Sequence, residues 1–161
     1  MAVLSKAQHA SDRSFADMLS SLINSTGMPA LDAGSDFTRA RRAQLAARAA
    51  RWLLGRRRPS HPATFGVAST CGGSVVRLEV IPLDAVVGTV EPSPHFDARF
   101  RPASPHLRPR WVKVALAHRT GRALPPIEVV RGCDGYYVVD GRHRVSVARA
   151  TGRREIDAWV R

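Results

Sequence analysis

The residues best suited to chemistry lie in one short run, Asp140-Gly141-Arg142-His143-Arg144. Two guanidinium groups and an imidazole are charge-assisted donors for an anion. Gly141 lets a ligand come close to the backbone. If a helix begins at Arg142, its first N–H groups lack intrahelical acceptors and lie at the positive end of the helix dipole. A phosphate can dock on such groups. The run therefore reads as a phosphate cradle, with Gly141, Arg142, His143 and Arg144 as contacts and the Ser146 hydroxyl as a possible addition. The plainer alternative is a solvated helix start on a basic surface.

Such a cradle needs a strand before it and a helix after it. Tyr136-Tyr137-Val138-Val139 is aromatic and β-branched, as a half-buried strand requires. Arg144, Val147, Ala148 and Thr151 recur at i, i+3, i+4 and i+7, one face of a helix, and Gly152 stops it. Arg144 opens that face at the first turn, where it is expected to reach a ligand rather than the core. Upstream, Ile127 to Arg131 reads as a strand joined through a Cys133-Asp134-Gly135 hairpin turn. Downstream, Glu155 to Val160 gives a last strand. Earlier, Val75 to Ile81 reads as a strand, and Pro82 to Val87 as a turn and short helix closing on Gly88. Thr89 to Pro109 is proline-rich and irregular, a candidate functional loop or lid, and its His95 and His106 have no assigned chemistry. Arg110 to His118 is a helix packing Trp111, Val114 and Ala115. These elements predict a small α/β domain of the α+β kind, with a mixed sheet, over residues 74–161.

The N-terminal part differs. Residues 1–36 read as a poorly ordered tail, in which Ser14 to Ile23 could form a short amphipathic helix. Ser35 or Asp36 is placed to cap an alanine-rich helix from Phe37 to Leu54 that Gly55 ends. Phe37, Leu45, Trp52 and Leu53 supply its apolar contacts. Residues 37–58 form a basic extension in which Arg41, Arg42, Arg48, Arg56, Arg57 and Arg58 are candidates for DNA or RNA phosphates or an anionic membrane surface. Alternatively its charges are merely solvated, and its apolar residues pack on the domain or on a second copy in a homodimer. Residues 59–73 are a linker by composition.

The composition agrees with one domain plus an appendage. The chain has 161 residues, 44% hydrophobic and only 6% aromatic, so its core is expected to be aliphatic. A net charge of +12 and a pI near 11.5 point to anionic partners. The charge is not confined to the extension. The first 60 residues hold ten basic against four acidic residues, and the remainder fifteen against nine. Almost all of it is arginine, with Lys6 and Lys113 the only lysines. Cys71 and Cys133 lack metal-ligand spacing and suggest neither a zinc site nor a disulfide framework. No apolar run is long enough to span a membrane, and a cytoplasmic protein is expected.

Taken together, IPLDAVVGTVE (Ile81 to Glu91), LPPIEVV (Leu124 to Val130), YYVVDGRHRVSVARATG and the closing IDAWV resemble the ParB/sulfiredoxin-like superfamily over about Val75 to Arg161. The resemblance implies a mixed-sheet domain in which a Pro-Ile strand, here Pro126-Ile127, and the Asp-Gly-x-His-Arg turn form a nucleotide-phosphate pocket. The implied ligand is a nucleoside triphosphate, CTP or ATP. The DNA-partitioning branch holds CTP phosphates with Gly-x-x-Arg, matched by Gly141 and Arg144. Its second phosphate motif and a following helix-turn-helix are missing, so a complete DNA clamp is not expected. Sulfiredoxins carry a nucleophilic cysteine where Arg142 stands, so sulfinic-acid repair is not expected. The free-serine kinases of this fold resemble the run at Asp140, Gly141, His143 and Arg144 and use an upstream carboxylate as base, for which Glu91 is nearest. That comparison implies catalytic roles for Glu91 and Asp140, with Mg²⁺ held by Asp140 through water. The leading expectation is nucleotide or phosphate binding in a DNA-associated or regulatory protein. The alternatives are a small phosphotransferase or NTPase, and a partner-binding module acting through the Arg-rich helix.

Overall fold

The computed structural model describes residues 26–55, 61–66 and 75–161. The expectations for Ser14 to Ile23, for Arg56, Arg57 and Arg58, and for Cys71 lie outside these residues. The described elements are α1 (Pro29–Leu53), β1 (Ala63–Thr64), β2 (Arg77–Pro82), β3 (Val86–Thr89), α2 (Arg108–Arg119), β4 (Ile127–Arg131), β5 (Tyr136–Asp140), α3 (Arg142–Ala150) and β6 (Glu155–Val160). They build a mixed-sheet α+β domain carrying an N-terminal helix.

The six strands lie in the order β1-β3-β5-β4-β6-β2. β4 and β5 form the expected antiparallel hairpin, with Val129 opposite Val138. β6 runs parallel to β4 and antiparallel to β2. On the other side β3 lies parallel to β5, and β1 parallel to β3. The Pro82 to Val87 segment departs from expectation. Only Leu83–Ala85 is helical, a single 3-10 turn, and Val86-Val87-Gly88-Thr89 is a strand. Its β-branched residues satisfy their backbone groups on β5.

Two apolar clusters meet at α3. Ile81, Ile127, Val129, Val138, Val145 and Ala148 belong to the larger one, between sheet and helix. Phe37, Ala40, Trp111, Ala115 and Val147 belong to the second, between α1, α2 and α3. Adjacent residues of one short helix, Val147 and Ala148, thus serve different clusters, as a 3.6-residue period allows.

The extension is longer and differently held than its composition predicts. α1 begins at Pro29, not Phe37, with proline in its first turn, where the missing N–H costs nothing. Ser35 and Asp36 lie inside the helix rather than capping it. Asp32 accepts bonds from the Thr26 backbone N–H at 2.9 Å and hydroxyl at 2.8 Å. Asp36 is buried and accepts from Arg119 of α2 at 2.7 Å, and Asp32 lies 3.6 Å from the same guanidinium. Of the four apolar residues expected to pack, only Phe37 is buried, edge-on to Trp111 at 5.5 Å. Leu45, Trp52 and Leu53 are exposed. Among the described residues no helix is long and apolar enough to cross a membrane. Cys133, just after β4, is disulfide-bonded, which the spacing of the cysteines did not suggest.

Arg119 neutralises two buried carboxylates one helical turn apart. Replacing it with leucine removes the nearest cation from Asp36, leaving only Arg39 at 3.6 Å among the described residues, and removing one partner of a buried pair costs about 3–5 kcal/mol. Arg119→Leu is therefore expected to lower stability by that order in urea unfolding. Adding Asp36→Asn to it should recover part of the loss.

Candidate functional site

The turn between β5 and α3 is set by two residues. Gly141 has a φ of +105°, in the left-handed region. A Cβ there would lie 2.4 Å from the Ile127 Cγ2 atom, so no other residue fits without displacing the start of β4. Arg144 then ties the same junction together. Its Nη1 donates to the carbonyls of Pro125 at 2.6 Å and Pro126 at 2.5 Å, and its Nη2 pairs with Asp140 at 2.5 Å. The side chain is only 15% exposed. In this arrangement the Arg144 donors, expected to reach a ligand, are engaged on the protein. Pro126 belongs to the junction through a carbonyl that Arg144 already occupies. Asp140 is the counter-ion of Arg144.

The outer part of the run is arranged differently. Gly141 has no side chain to cap α3, so the first N–H groups of the helix have no side-chain acceptor. Arg142 reaches the loop after β3 and pairs with Glu91 at 3.2 Å, where the Glu91 side chain is 79% exposed. A pair this exposed holds its partners weakly and can be displaced by a stronger anion. The Glu91 backbone carbonyl is fixed by the Thr89 hydroxyl at 2.6 Å.

His143 turns inward. It packs edge-on against Phe96 at 5.3 Å, and its Nδ1 is buried without a hydrogen-bond partner among the described residues. Burial pushes its pKa down to about 4, and the charges of Arg110 and Arg142 push the same way, against a raising effect from Asp140. The imidazole is neutral at pH 7 and sits in a positive field. Arg110, at the first turn of α2, was not singled out in the sequence. Its bearing on the site depends on how the Thr89 to Pro109 segment folds over α3, which no local pattern encodes. Phe96 and Phe100 of that segment are buried, so it is anchored into the core rather than hinged as a lid.

Ser146, the possible addition to the cradle, faces the core. It is buried and accepts a bond from the Trp111 indole N–H at 2.8 Å, which fixes α2 against α3. On α1, Arg41 donates to Gln44 at 2.9 Å and to the Ala103 carbonyl, fastening the helix to the loop. Arg42 and Arg48 are exposed. Among the described residues no group of three or more His, Cys, Asp or Glu side chains is placed to hold a metal.

No family model and no curated protein matches the sequence. Among solved structures the chain is similar to a sulfiredoxin from Arabidopsis thaliana, with 19% identity and a TM-score of 0.35, over 53% of this chain and 84% of that one. The likeness is a distant structural one.

Two measurements follow. Gly141→Ala forces a strained φ and a clash with Ile127, so it should cost at least about 2 kcal/mol in guanidinium unfolding. Because the folded pKa of His143 lies below the unfolded value, the unfolded chain takes up the proton first as pH falls. Stability should therefore drop between pH 6.5 and about 4. His118, whose pKa is also lowered by burial, contributes in the same sense. In His143→Gln the fall in melting temperature over this window should be shallower.

Proposed function

We propose that the start of α3 binds the phosphates of a nucleotide, with CTP and ATP as the first candidates, in a regulatory or DNA-associated protein. The observation that carries this reading is the uncapped first turn of α3. Its N–H groups lie beside Arg142, whose only acidic partner among the described residues is the solvent-exposed Glu91. A phosphate there would take the N–H bonds, displace Glu91 from Arg142 and gain the field of Arg110. Arg144 and Gly141 hold the turn in place and need not touch the ligand. His143 acts as a reporter of occupancy, because a nearby anion offsets the positive charges that help keep it neutral.

The pairing of Arg142 with Glu91 also supports a second reading. A phosphate that takes over Arg142 leaves the Glu91 carboxylate unpaired close to the transferable group, as a phosphotransferase base must be. In that case Mg²⁺ bound with the nucleotide would offset the phosphate charge. DNA association would fall to the exposed Arg42 and Arg48 of α1, through contacts that weaken steeply with salt.

A thermal-shift screen of nucleoside triphosphates, with and without Mg²⁺, tests the binding site. Stabilisation by at least one nucleotide is expected, with Arg142→Ala losing it while its own unliganded melt stays near wild type. An NMR titration should show the His143 pKa rising when the ligand is present. Failure of every nucleotide and of inorganic triphosphate to shift the melt would overturn the reading. The phosphotransferase alternative requires turnover that Glu91→Ala abolishes with nucleotide binding retained.

A further inference from the structure

A cleft of about 910 Å³ lies between α1, the turn at Leu83 and the C-terminal half of α3, and none of residues 140–144 lines it. That volume is in the range of small-molecule sites. Six arginines line it against three carboxylates, Asp36, Asp84 and Glu155. Asp36 is already taken by Arg119 at 2.7 Å. Arg99 and Arg153 are exposed and have no carboxylate within ion-pairing distance among the described residues.

The walls are fixed before any ligand arrives. Arg101 pairs with the buried Asp97 at 2.8 Å and donates to the Ala43 carbonyl of α1 at 2.9 Å. Arg149 donates to the carbonyls of Leu83 at 2.6 Å and Val86 at 2.7 Å, and its guanidinium lies 5.1 Å from the Phe100 ring centre. Burial lowers the Arg149 pKa, against the raising effect of Asp84 and Asp97, so a half-buried positive charge forms part of the cleft wall. Between the charged residues run Ala40, Ala43, Leu83 and Ala150, a small apolar surface. Preformed walls reduce the ordering cost of binding.

We infer that this cleft is a second anion site, for one phosphorylated small molecule of nucleotide size. Its phosphates meet Arg39, Arg99 and Arg153, and its ring system lies on Ala40, Ala43 and Leu83. The cleft takes a single such molecule and is too small for a nucleic-acid duplex. The site shares no residue with the start of α3 and stands or falls separately from it.

The test is an amide NMR titration of the full chain with ATP, with CTP and with sodium triphosphate. The amides of Ala40, Leu83 and Arg153 should shift saturably with at least one nucleotide. Affinity should fall about tenfold or more in Arg99→Gln/Arg153→Gln, two exposed positions whose loss leaves the melting temperature unchanged. Arg142→Gln, which lies outside the cleft, should leave these shifts intact. Triphosphate alone should bind more weakly than the nucleotide. The inference is overturned if those amides do not move at millimolar nucleotide. It is equally overturned if Arg42→Gln/Arg48→Gln, a charge-matched change on the outside of α1, weakens binding as much as the cleft variant. Triphosphate binding as tightly as the nucleotide would overturn the role given to the apolar surface.

Discussion

The junction of β4, β5 and α3 depends on one guanidinium group. Arg144 collects two successive proline carbonyls from the segment entering β4 and the carboxylate that ends β5. Carbonyls in such a segment have no ladder partner, and the guanidinium supplies donors to both. Gly141 completes the junction from the other side by letting Ile127 pack where a Cβ would stand. Together they fix the direction in which α3 leaves the sheet. Everything placed by α3 follows from that direction, including the outward Arg142, the inward His143 and the two apolar clusters that share the helix.

The same helix explains why the N-terminal extension belongs to the fold. Val147 faces Phe37, Trp111 and Ala115, so α1 closes a cluster that would otherwise meet water. Apolar burial supplies the general attraction. The buried pairing of Asp36 and Asp32 with Arg119 selects one register of α1 against α2, because a shift by one turn would leave a carboxylate buried alone. Arg41 and Arg101 add two more fixed points between α1 and the loop. The concave surface beside α1 is a product of that attachment.

The sequence made some of these features plain and hid others for definite reasons. The bounds of β4 and β6, the start of α3 and the hairpin between β4 and β5 could be read because period, β-branching and glycine signals agree locally. The first turns of α1 were obscured by Pro29 and Gly34, which suggest a loop. They are held as a helix by Arg119, 83 positions away from Asp36. β1 has two residues and exists only through its pairing with β3. At the candidate site the glycine and the basic helix start were legible. The division of labour was not, since Arg142 and Arg144 are the same residue type two positions apart. Which of them turns outward is decided by Pro125 and Pro126, in the segment before β4, and Ser146 is drawn inward by Trp111 in the same way.

The nearly lysine-free composition has a mechanical meaning once these contacts are seen. Arg41, Arg101, Arg144 and Arg149 all donate to main-chain carbonyls, joining segments that no strand ladder connects. A planar guanidinium can span two acceptors at once, which a lysine ammonium cannot do with the same geometry. These four residues work as cross-links whose hold comes from directed bonds rather than from distant attraction. Added electrolyte weakens long-range attraction far more than short, enclosed hydrogen bonds. Ionic strength should therefore separate two populations of arginine in this chain, loosening solvent-exposed ones such as Arg42 and Arg48 while leaving these directed contacts intact.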